Sequence, residues 1–466
     1  MTRKLTALFL ALPAAACTHV AADSPQAPQY GAPTAIASSE AAQGVWQSRG
    51  YGYILDVSAD GITRYQYGDT CYATPEETKA LSEMAGAEYS LVALADDGRS
   101  ARFQLLSGDT RVTFDRLDAL PDACVRNPDT SPPAVAAAFA DHFERHYAFF
   151  DRRGPSATQR AARLASLDAD SSDEELWQAL AGYMEGLSDS HTKLIGVVDG
   201  EKRRVQDGQG ETLPHIREGI GENKFVVGTI VGALEQLGDS AHHVGNDRVV
   251  WGTIDGRVGY ISLLVMGGFS DNKDFASEAW AEAELAAFDA IMDEAMTAFA
   301  GMDAVIVDLS NNRGGWDRIS KALASRFAAA PFTAYTTQAH GSGIAPFAHV
   351  VEPASGPTYT GPVYVMTSDI TVSGGELATL AMRQLPNVTQ LGSTTRGAFS
   401  TPLPKPLPNG WLLELSNETF AAADGTVYEE TGLAPEIELD IYPAAAPVAG
   451  HWQAVEQIVA MATTTD

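Results

Sequence analysis

The chain has 466 residues, which at roughly 150 residues per domain suggests two or three compact units and excludes a minimal disulfide scaffold. Apolar residues make up 45% and charged residues 20%, with 42 Gly and 24 Pro, the composition of a packed globular protein rather than of disorder or fibre. Against 31 Lys plus Arg stand 60 Asp plus Glu, and a net charge of −29 repels phosphate backbones and anionic headgroups, which argues against nucleic-acid binding.

Arg3 and Lys4 precede an apolar run, Leu5 to Ala16, that is too short to span a bilayer. This layout predicts a signal peptide over 1–21, no membrane span, and an exported chain that is periplasmic, an outer-membrane lipoprotein or secreted. The run ends in Pro13-Ala14-Ala15-Ala16-Cys17, similar to a lipoprotein processing site but without Leu three positions before the cysteine. Lipid anchoring at Cys17 and plain cleavage after an alanine both stay open. Residues 22–43, rich in Pro, Ala, Ser and Gln, read as a flexible linker.

Alternation at Tyr51, Tyr53, Leu55 and Val57, then Asp60-Gly61, then Tyr65 and Tyr67 predicts a hairpin. A second runs from Leu91–Leu94 through Asp97-Gly98 to Phe103–Leu105, and Val112 and Phe114 begin a further strand. Residues 44–126 therefore read as a small antiparallel β domain. Cys71 and Cys124 lie within it, and two thiols in an oxidising compartment are expected to form a disulfide.

A helical segment is expected over 127–200. Val135, Phe139, His142, Phe143, His146, Tyr147 and Phe150 share one helical face, and Leu176, Leu180, Tyr183 and Leu187 repeat after the cap Ser172-Asp173. Residues 201–249 are weakly patterned, with Phe225 to Ile230 a strand candidate. From 250 to 446 short apolar runs alternate with helical ones: strands at Val258–Val265, Ala304–Leu309 and Val363–Met366, helices at about 274–299, 316–329 and 374–385. This βαβ rhythm predicts a layered α/β core, and the unalternated runs Ala304–Val307 and Val363–Met366 predict strands covered on both faces. Residues 447–466 form a C-terminal helix or tail.

Two of these strands lead into chemistry-bearing turns. Ala304–Leu309 ends in Ser310-Asn311-Asn312-Arg313-Gly314-Gly315, where glycine-freed amides at a strand end can hold an anion, although for a lone Gly-Gly a turn needing positive φ is the favoured reading. Val363–Met366 leads to Ser373-Gly374-Gly375-Glu376, a capping box that also puts a hydroxyl beside free amides. A serine needs a base, and His191, in Leu187-Ser188-Asp189-Ser190-His191-Thr192, has the best surroundings. His142 and His146 lie one turn apart, but the intervening Phe-Glu-Arg departs from the zinc pattern His-Glu-x-x-His; they read as a helix face, with a zinc enzyme the alternative. No metal or other cofactor is expected.

The segments 187–192, Val-Gly-Tyr-Ile-Ser-Leu at 258–263, 306–315, 369–376 and Glu-Glu-Thr-Gly-Leu-Ala-Pro-Glu at 429–436 resemble, in this order, the motifs of the C-terminal processing and tricorn-core serine peptidases. The resemblance covers about residues 132–442. It implies an exported serine peptidase acting on polypeptides through an acyl-enzyme. In the C-terminal processing branch a lysine base follows the nucleophile, but Ala398 stands at that position, so the chain looks like the tricorn and retinoid-binding-protein-like branch. That branch implies a tetrad of Ser373 as nucleophile, His191 as base, and Ser190 and Glu429 as orienting groups, with Glu430 as fallback for the acid. The oxyanion hole would combine the Gly374 amide with that of Gly314 or Gly315; Arg313 and Arg396 flank the site and could bind a terminal carboxylate, although solvated surface arginines are the slightly favoured reading. Lys193 and Lys405 are the nearest alternative bases. Ser310 stands where the family often carries arginine, and no PDZ-like segment is evident between His191 and Tyr260. A non-catalytic ligand- or peptide-binding protein on the same fold is the alternative from another class.

Overall fold

The computed structural model describes residues 28–154 and 156–464. The expected signal peptide and Cys17 lie outside the described residues. Among these residues no helix is long and apolar enough to cross a membrane.

The N-terminal part is a nine-stranded sheet in the order Thr34–Ala35, Leu91–Leu94, Ser100–Gln104, Val112–Leu117, Gly44–Ser48, Tyr53–Ser58, Gly61–Tyr67, Cys71–Ala73 and Cys124–Val125. The expected hairpins are present, with Ser58 opposite Gly61 and Leu94 opposite Ala101. The sheet is antiparallel except at its last pair, where Cys71 lies opposite Cys124 in parallel register and the expected disulfide joins them. The linker expected over 22–43 is instead ordered in its later part. Thr34 and Ala35 add an edge strand beside Leu91 and Val92, Ile36 and Ala42 are buried, and the Arg102 guanidinium lies 3.9 Å from the Tyr30 ring centroid. Two large side chains, Tyr30 and Ile36, are enough to anchor a segment whose average composition is that of a tether.

The α/β core is built on a seven-stranded sheet. Val258–Leu263, Ala304–Asp308, Val363–Thr367, Val388–Gly392 and Ile437–Glu438 run parallel, and Val249–Ile254 and His242–Val244 continue the sheet antiparallel at one edge. On one face Val305, Val307 and Val365 pack with Phe288, Met292, Ile319, Leu323 and Leu377 from helices Glu278–Ala298, Asp317–Ser325 and Gly374–Met382. On the other, Tyr260, Ile306 and Met366 meet Phe225, Ala233, Trp452 and Val455 from helices Glu222–Leu237 and Pro447–Thr463. Burial of successive residues on opposite faces is why these strands show no apolar–polar alternation.

Phe225–Ile230, a strand candidate by its β-branched content, lies within the helix Glu222–Leu237. Its buried residues Phe225, Thr229, Ala233 and Leu237 recur every fourth position, and that spacing prevails over local propensity.

The N-terminal sheet is joined to the core by polar anchors. Tyr51 and Tyr53 hydroxyls donate to Glu418 Oε1 and Pro404 O, each at 2.5 Å, and Tyr72 Oη donates to Pro406 O at 2.8 Å. Lys405 Nζ is buried, donating to the Tyr51 and Gly52 carbonyls at 2.8 and 2.9 Å. His142 Nε2 lies 2.9 Å from Tyr72 Oη, and no group of His, Cys, Asp and Glu side chains suited to a metal occurs among the described residues. His142 and His146 thus belong to the seam between sheet and core.

Candidate active site

The parallel neighbours Ala304–Asp308 and Val363–Thr367 open their carboxyl ends side by side, where open α/β sheets put their ligands. The turns that follow hold one another. Ser368 Oγ donates to Ser310 O at 2.6 Å, Thr371 Oγ1 to Leu309 O at 2.7 Å, and the Val372 amide to Asn312 O at 3.2 Å. Ser373 sits at this junction with φ 57° and ψ −119°, a conformation that L residues avoid unless their surroundings impose it. A strained serine between strand and helix is the elbow that presents a hydroxyl to a cleft. The bend is fastened by Glu376, which accepts from the amides of Ser373 at 3.2 Å, Gly397 at 2.6 Å and Ala398 at 2.8 Å and from Thr395 Oγ1 at 2.6 Å.

The glycine pair lies directly against this elbow. A methyl group on Gly314 would come within 2.7 Å of Ser373 Cβ, and one on Gly374 within 3.1 Å of Gly315 N, so bulkier residues would force the turns apart. Gly314, expected as a candidate donor, is not available: its amide donates to Asn312 Oδ1 at 2.9 Å. Met266 bonds on both sides of Gly315, its amide to Gly314 O at 2.6 Å and its carbonyl from Trp316 N at 2.7 Å. In a parallel bridge this leaves the Gly315 amide pointing away from Met266. The Gly374 amide is the first of its helix and has no intrahelical acceptor. The backbones of Gly315 and Gly374 thus lie together at the Ser373 turn.

His191 follows the helix Asp173–Met184 in a loop organised by Asp189. Asp189, fully buried, accepts from the His191 amide at 2.9 Å, Thr192 Oγ1 at 3.0 Å, Tyr147 Oη at 3.0 Å and Ser416 Oγ at 3.1 Å. The His191 ring is buried and its Nδ1 has no partner among the described residues. Burial holds this imidazole below its ordinary value, Asp189 opposing and Lys193, Arg153 and Arg396 reinforcing, so it is a neutral proton acceptor at neutral pH. No hydrogen bond among the described residues joins the ring to Ser373 Oγ, a contact that is often loose without substrate. The two segments meet through Gly208, whose carbonyl accepts from Ser190 Oγ and from Arg396 Nη1, while the Arg396 amide bonds Thr371 O at 3.0 Å.

Glu429 lies in the same buried layer but not where the tetrad expectation put it. Its oxygens accept from Arg153 Nη2 at 2.9 Å and from the Phe399 and Ser400 amides at 2.9 and 3.1 Å, with neither His191 nor Ser190 among its partners. Burial pushes its carboxyl up to about 8, the Asp189 charge adding and Arg153 opposing. Glu430 is exposed at φ 74° and is no substitute. Arg153, absent from the expected site, is the clamp: it also donates to Ser188 O and Gly397 O, and its Nε lies 4.0 Å from Asp189 Oδ2. The doublet Arg152-Arg153 in a helical stretch gave no sign of this, since the partners come from the two ends of the core.

Ala398 is buried and links backbones, accepting the Ser373 amide at 3.1 Å. Lys193 pairs with Glu414 at 2.7 Å and Lys405 is tied to the N-terminal sheet, so neither stands ready as a base. Ser310 Oγ bonds Asp308 Oδ1 at 2.6 Å and Tyr442 Oη at 2.7 Å, and His451 Nε2 lies 2.6 Å from Asp308 Oδ2, pinning the strand end from the far face. Arg313 and Arg396 are half-buried and bonded to the chain: Arg313 Nη1 bonds Glu222 at 3.1 Å, and Arg396 Nε bonds Asp369 O at 2.6 Å.

Residues 257–439 match the family description peptidase family S41. A Parabacteroides merdae ATCC 43184 protein described as a candidate peptidase is similar in fold, with TM-score 0.58 and 20% identity over 72% of this chain and 98% of that one. Mature CPAF complexed with lactacystin is similar with TM-score 0.52 and 13% identity, over 72% of this chain and 99% of that one. No curated protein matches the chain. The family match supports the resemblance to the C-terminal processing and tricorn-core peptidases; the retinoid-binding branch gains no support from it.

Proposed function

We propose that this chain, with its serine-type peptidase domain of family S41, hydrolyses peptide bonds by acyl transfer, with Ser373 as nucleophile and His191 as base. The observation that carries this reading is the strained Ser373 elbow packed against the backbones of Gly314, Gly315 and Gly374. In the proposed cycle His191 takes the Ser373 hydroxyl proton as the oxygen attacks the carbonyl carbon. The carbonyl oxygen, now negative, accepts from the Gly315 and Gly374 amides, and His191 returns the proton to the departing amine. Water then repeats the sequence to release the acyl group. Preformed amide donors favour this chemistry because they need no reorganisation as charge develops. In this reading Ser190 and Glu429 are positioning residues: one holds the Gly208 carbonyl, the other, through Arg153, the loop that fixes Ser373. Export to an oxidising compartment remains part of the proposal, and the Cys71–Cys124 disulfide supports it.

Labelling by a fluorophosphonate probe together with hydrolysis of a mixed peptide library tests the assignment. Wild type should label and cleave, and Ser373→Ala should do neither while unfolding at the same denaturant concentration. Cleavage retained by Ser373→Ala would overturn the reading. Labelling without cleavage of any peptide would favour a binding protein on this fold.

A further inference from the structure

The loop joining strands Ser100–Gln104 and Val112–Leu117 of the N-terminal sheet docks on the core where helices Glu278–Ala298 and Asp317–Ser325 begin. Leu106 is 2% exposed and packs with Trp280, Ala281 and Trp316, the two indoles lying 5.1 Å apart. Polar contacts fasten the loop: the Ser107 amide donates to Glu278 Oε1 at 2.8 Å, Arg318 Nη1 to Ser107 O, and Lys321 Nζ to Gly108 O at 3.4 Å. At the end of the loop Asp109 Oδ1 accepts the Trp316 indole N–H at 2.8 Å. The Asp109 backbone is itself tied down, its carbonyl taking Gln104 Nε2 at 2.9 Å and its amide bonding Leu106 O at 3.1 Å. An indole has a single polar hydrogen, so this one bond, with the Trp280 ring beside it, fixes how the Trp316 side chain lies.

Trp316 is bonded directly to Gly315. Gly315 has no side chain, and its φ of 126° lies in the region open to glycine, so the turn takes its shape from its neighbours. Met266 holds it from one side, through its amide to Gly314 O and its carbonyl from the Trp316 amide. The Trp316 side chain, anchored by Asp109 and Leu106, holds it from the other. What the turn packs against is the nucleophile elbow: a methyl group on Gly314 would lie 2.7 Å from Ser373 Cβ, and one on Gly374 2.8 Å from Gly315 O. Close-packed contacts of this kind transmit small displacements instead of absorbing them. An unbroken series therefore runs from Asp109 to Trp316 by a hydrogen bond, to Gly315 by a peptide bond, and to Gly374, the residue after Ser373, by packing. Asp109 and Leu106 belong to the N-terminal sheet and its loop, so the α/β core by itself does not supply this support.

We propose that Asp109 is a positioning residue of the active site: by accepting the Trp316 indole N–H it holds the Gly314–Gly315 turn against Gly374, and the N-terminal sheet is thereby part of the catalytic apparatus. Asp109 acts only through Trp316 and touches no reacting atom. The role rests on the acyl-transfer reading, which gives the glycine turn its task beside the reacting carbonyl. Desolvation in the seam and the Asp317 charge push the Asp109 carboxyl up to about 7, against the Trp316 bond and the Lys321 and Arg318 charges. Below that pH the group is neutral and still accepts through its carbonyl oxygen, so asparagine copies it in shape, charge and hydrogen bonding.

Four variants of the full chain test this at about pH 6, where the carboxyl is mostly neutral: Asp109→Asn, Asp109→Leu, Trp316→Phe and the double variant Asp109→Leu with Trp316→Phe. Hydrolysis of one peptide gives kcat and KM, and kcat is referred to the sites that take up a fluorophosphonate at saturation, so unfolded material drops out. Asp109→Leu should lower kcat about tenfold to a hundredfold, the range a misplacement of about 1 Å produces, with KM within about threefold of wild type. Asp109→Asn should keep kcat within about threefold. Trp316→Phe, which retains a ring but no donor, should cost about as much as Asp109→Leu, and the double variant no more than about threefold beyond the worse single one, because both changes remove the same bond. If leucine at position 109 impairs folding, Trp316→Phe compared with Asp109→Asn reads the same contact. A kcat for Asp109→Leu or Trp316→Phe within about twofold of wild type, a loss in Asp109→Asn as large as in Asp109→Leu, or losses that multiply in the double variant would each overturn the role and leave the peptidase reading intact. A wild type that cleaves no peptide and takes up no probe would remove the peptidase reading and this role with it.

Discussion

Arg153→Met is the sharpest test of how the site is held together. Methionine keeps an unbranched stem and removes every donor, so the Ser188 and Gly397 carbonyls and Glu429 Oε1 each lose a partner. The Arg153 side chain is 3% exposed, and water cannot replace it without opening the layer. Removing one member of a buried ion pair costs about 3–5 kcal/mol, and each orphaned carbonyl about 1–3 kcal/mol. Glu429 softens the first figure. Its carboxyl, pushed up by burial to about 8, holds a proton at pH 7 and leaves little charge uncompensated there. The loss falls on Asp189, where burial opposes ionisation yet the Arg153 charge holds the carboxyl below its ordinary value. A net loss of about 4–6 kcal/mol follows. Urea unfolding with matched m-values reads this loss directly, and hydrolysis should fall even in buffer where the variant stays folded, because loops 188–192 and 397–400 are no longer stitched. Glu429 also sets a pH dependence. A carboxyl raised from its ordinary 4.5 to about 8 lends stability that is full below 4.5 and lost as the pH climbs through 8, and Glu429→Gln should flatten that decline. Stability of Arg153→Met within about 1 kcal/mol of wild type, with unchanged hydrolysis, would refute the clamp, since the buried Asp189 charge and two buried carbonyls cannot lose their partner so cheaply.

Ser373→Gly should be more stable than Ser373→Ala. The native φ and ψ cost about 1–3 kcal/mol for an L residue, and glycine escapes that at an entropic cost of about 0.5–1 kcal/mol. Calorimetry on the two inactive variants decides it, and a higher melting temperature for Ser373→Ala would contradict strain at the elbow. The acidic limb of the kcat/KM profile should lie below 6.5, because burial keeps the free-enzyme His191 from protonating until the pH drops beneath its ordinary value. A limb at or above 6.5 that disappears in no His191 variant would exclude this imidazole as the base.

What could be read from the sequence was set by how local the cause was. The strands Ala304–Asp308 and Val363–Thr367 were legible because burial on both faces leaves an unbroken apolar run, and the Cys71–Cys124 pair because only two cysteines follow the expected signal peptide. Ser373 was legible as a serine between strand and helix, but its positive φ was not, since the strain is imposed by Glu376 and Ala398 across the turn. Arg153 was illegible for the same reason in stronger form: its acceptors Ser188, Gly397 and Glu429 lie up to 276 residues away. The Gly314 expectation failed on a local detail, the Asn312 side chain folding back two residues to take its amide. The helix at Glu222–Leu237 was not legible in Phe225–Ile230 alone, because the four-residue spacing of Phe225, Thr229, Ala233 and Leu237 shows only over the whole segment.

Around Ser373, satisfied and unsatisfied polar groups divide by task. The groups that fix geometry are saturated: Asp308 holds Ser310, Tyr260 and His451, Asp189 holds its loop, and Glu376 has four donors. Networks of this kind are stiff because each member loses several bonds if it moves, and they select one arrangement of the turns. Buried nitrogens without partners among the described residues at the site include His191 Nδ1 and, in the surrounding shell, Arg153 Nε, Asn311 Nδ2, Arg313 Nη2 and Arg396 Nη2. Saturating these too would lower the energy of the resting protein and leave nothing to gain when substrate arrives. On the proposed acyl-transfer reading, an open group at the site gives the bound peptide something to gain, and the saturated shell keeps the chain from meeting that demand by collapse.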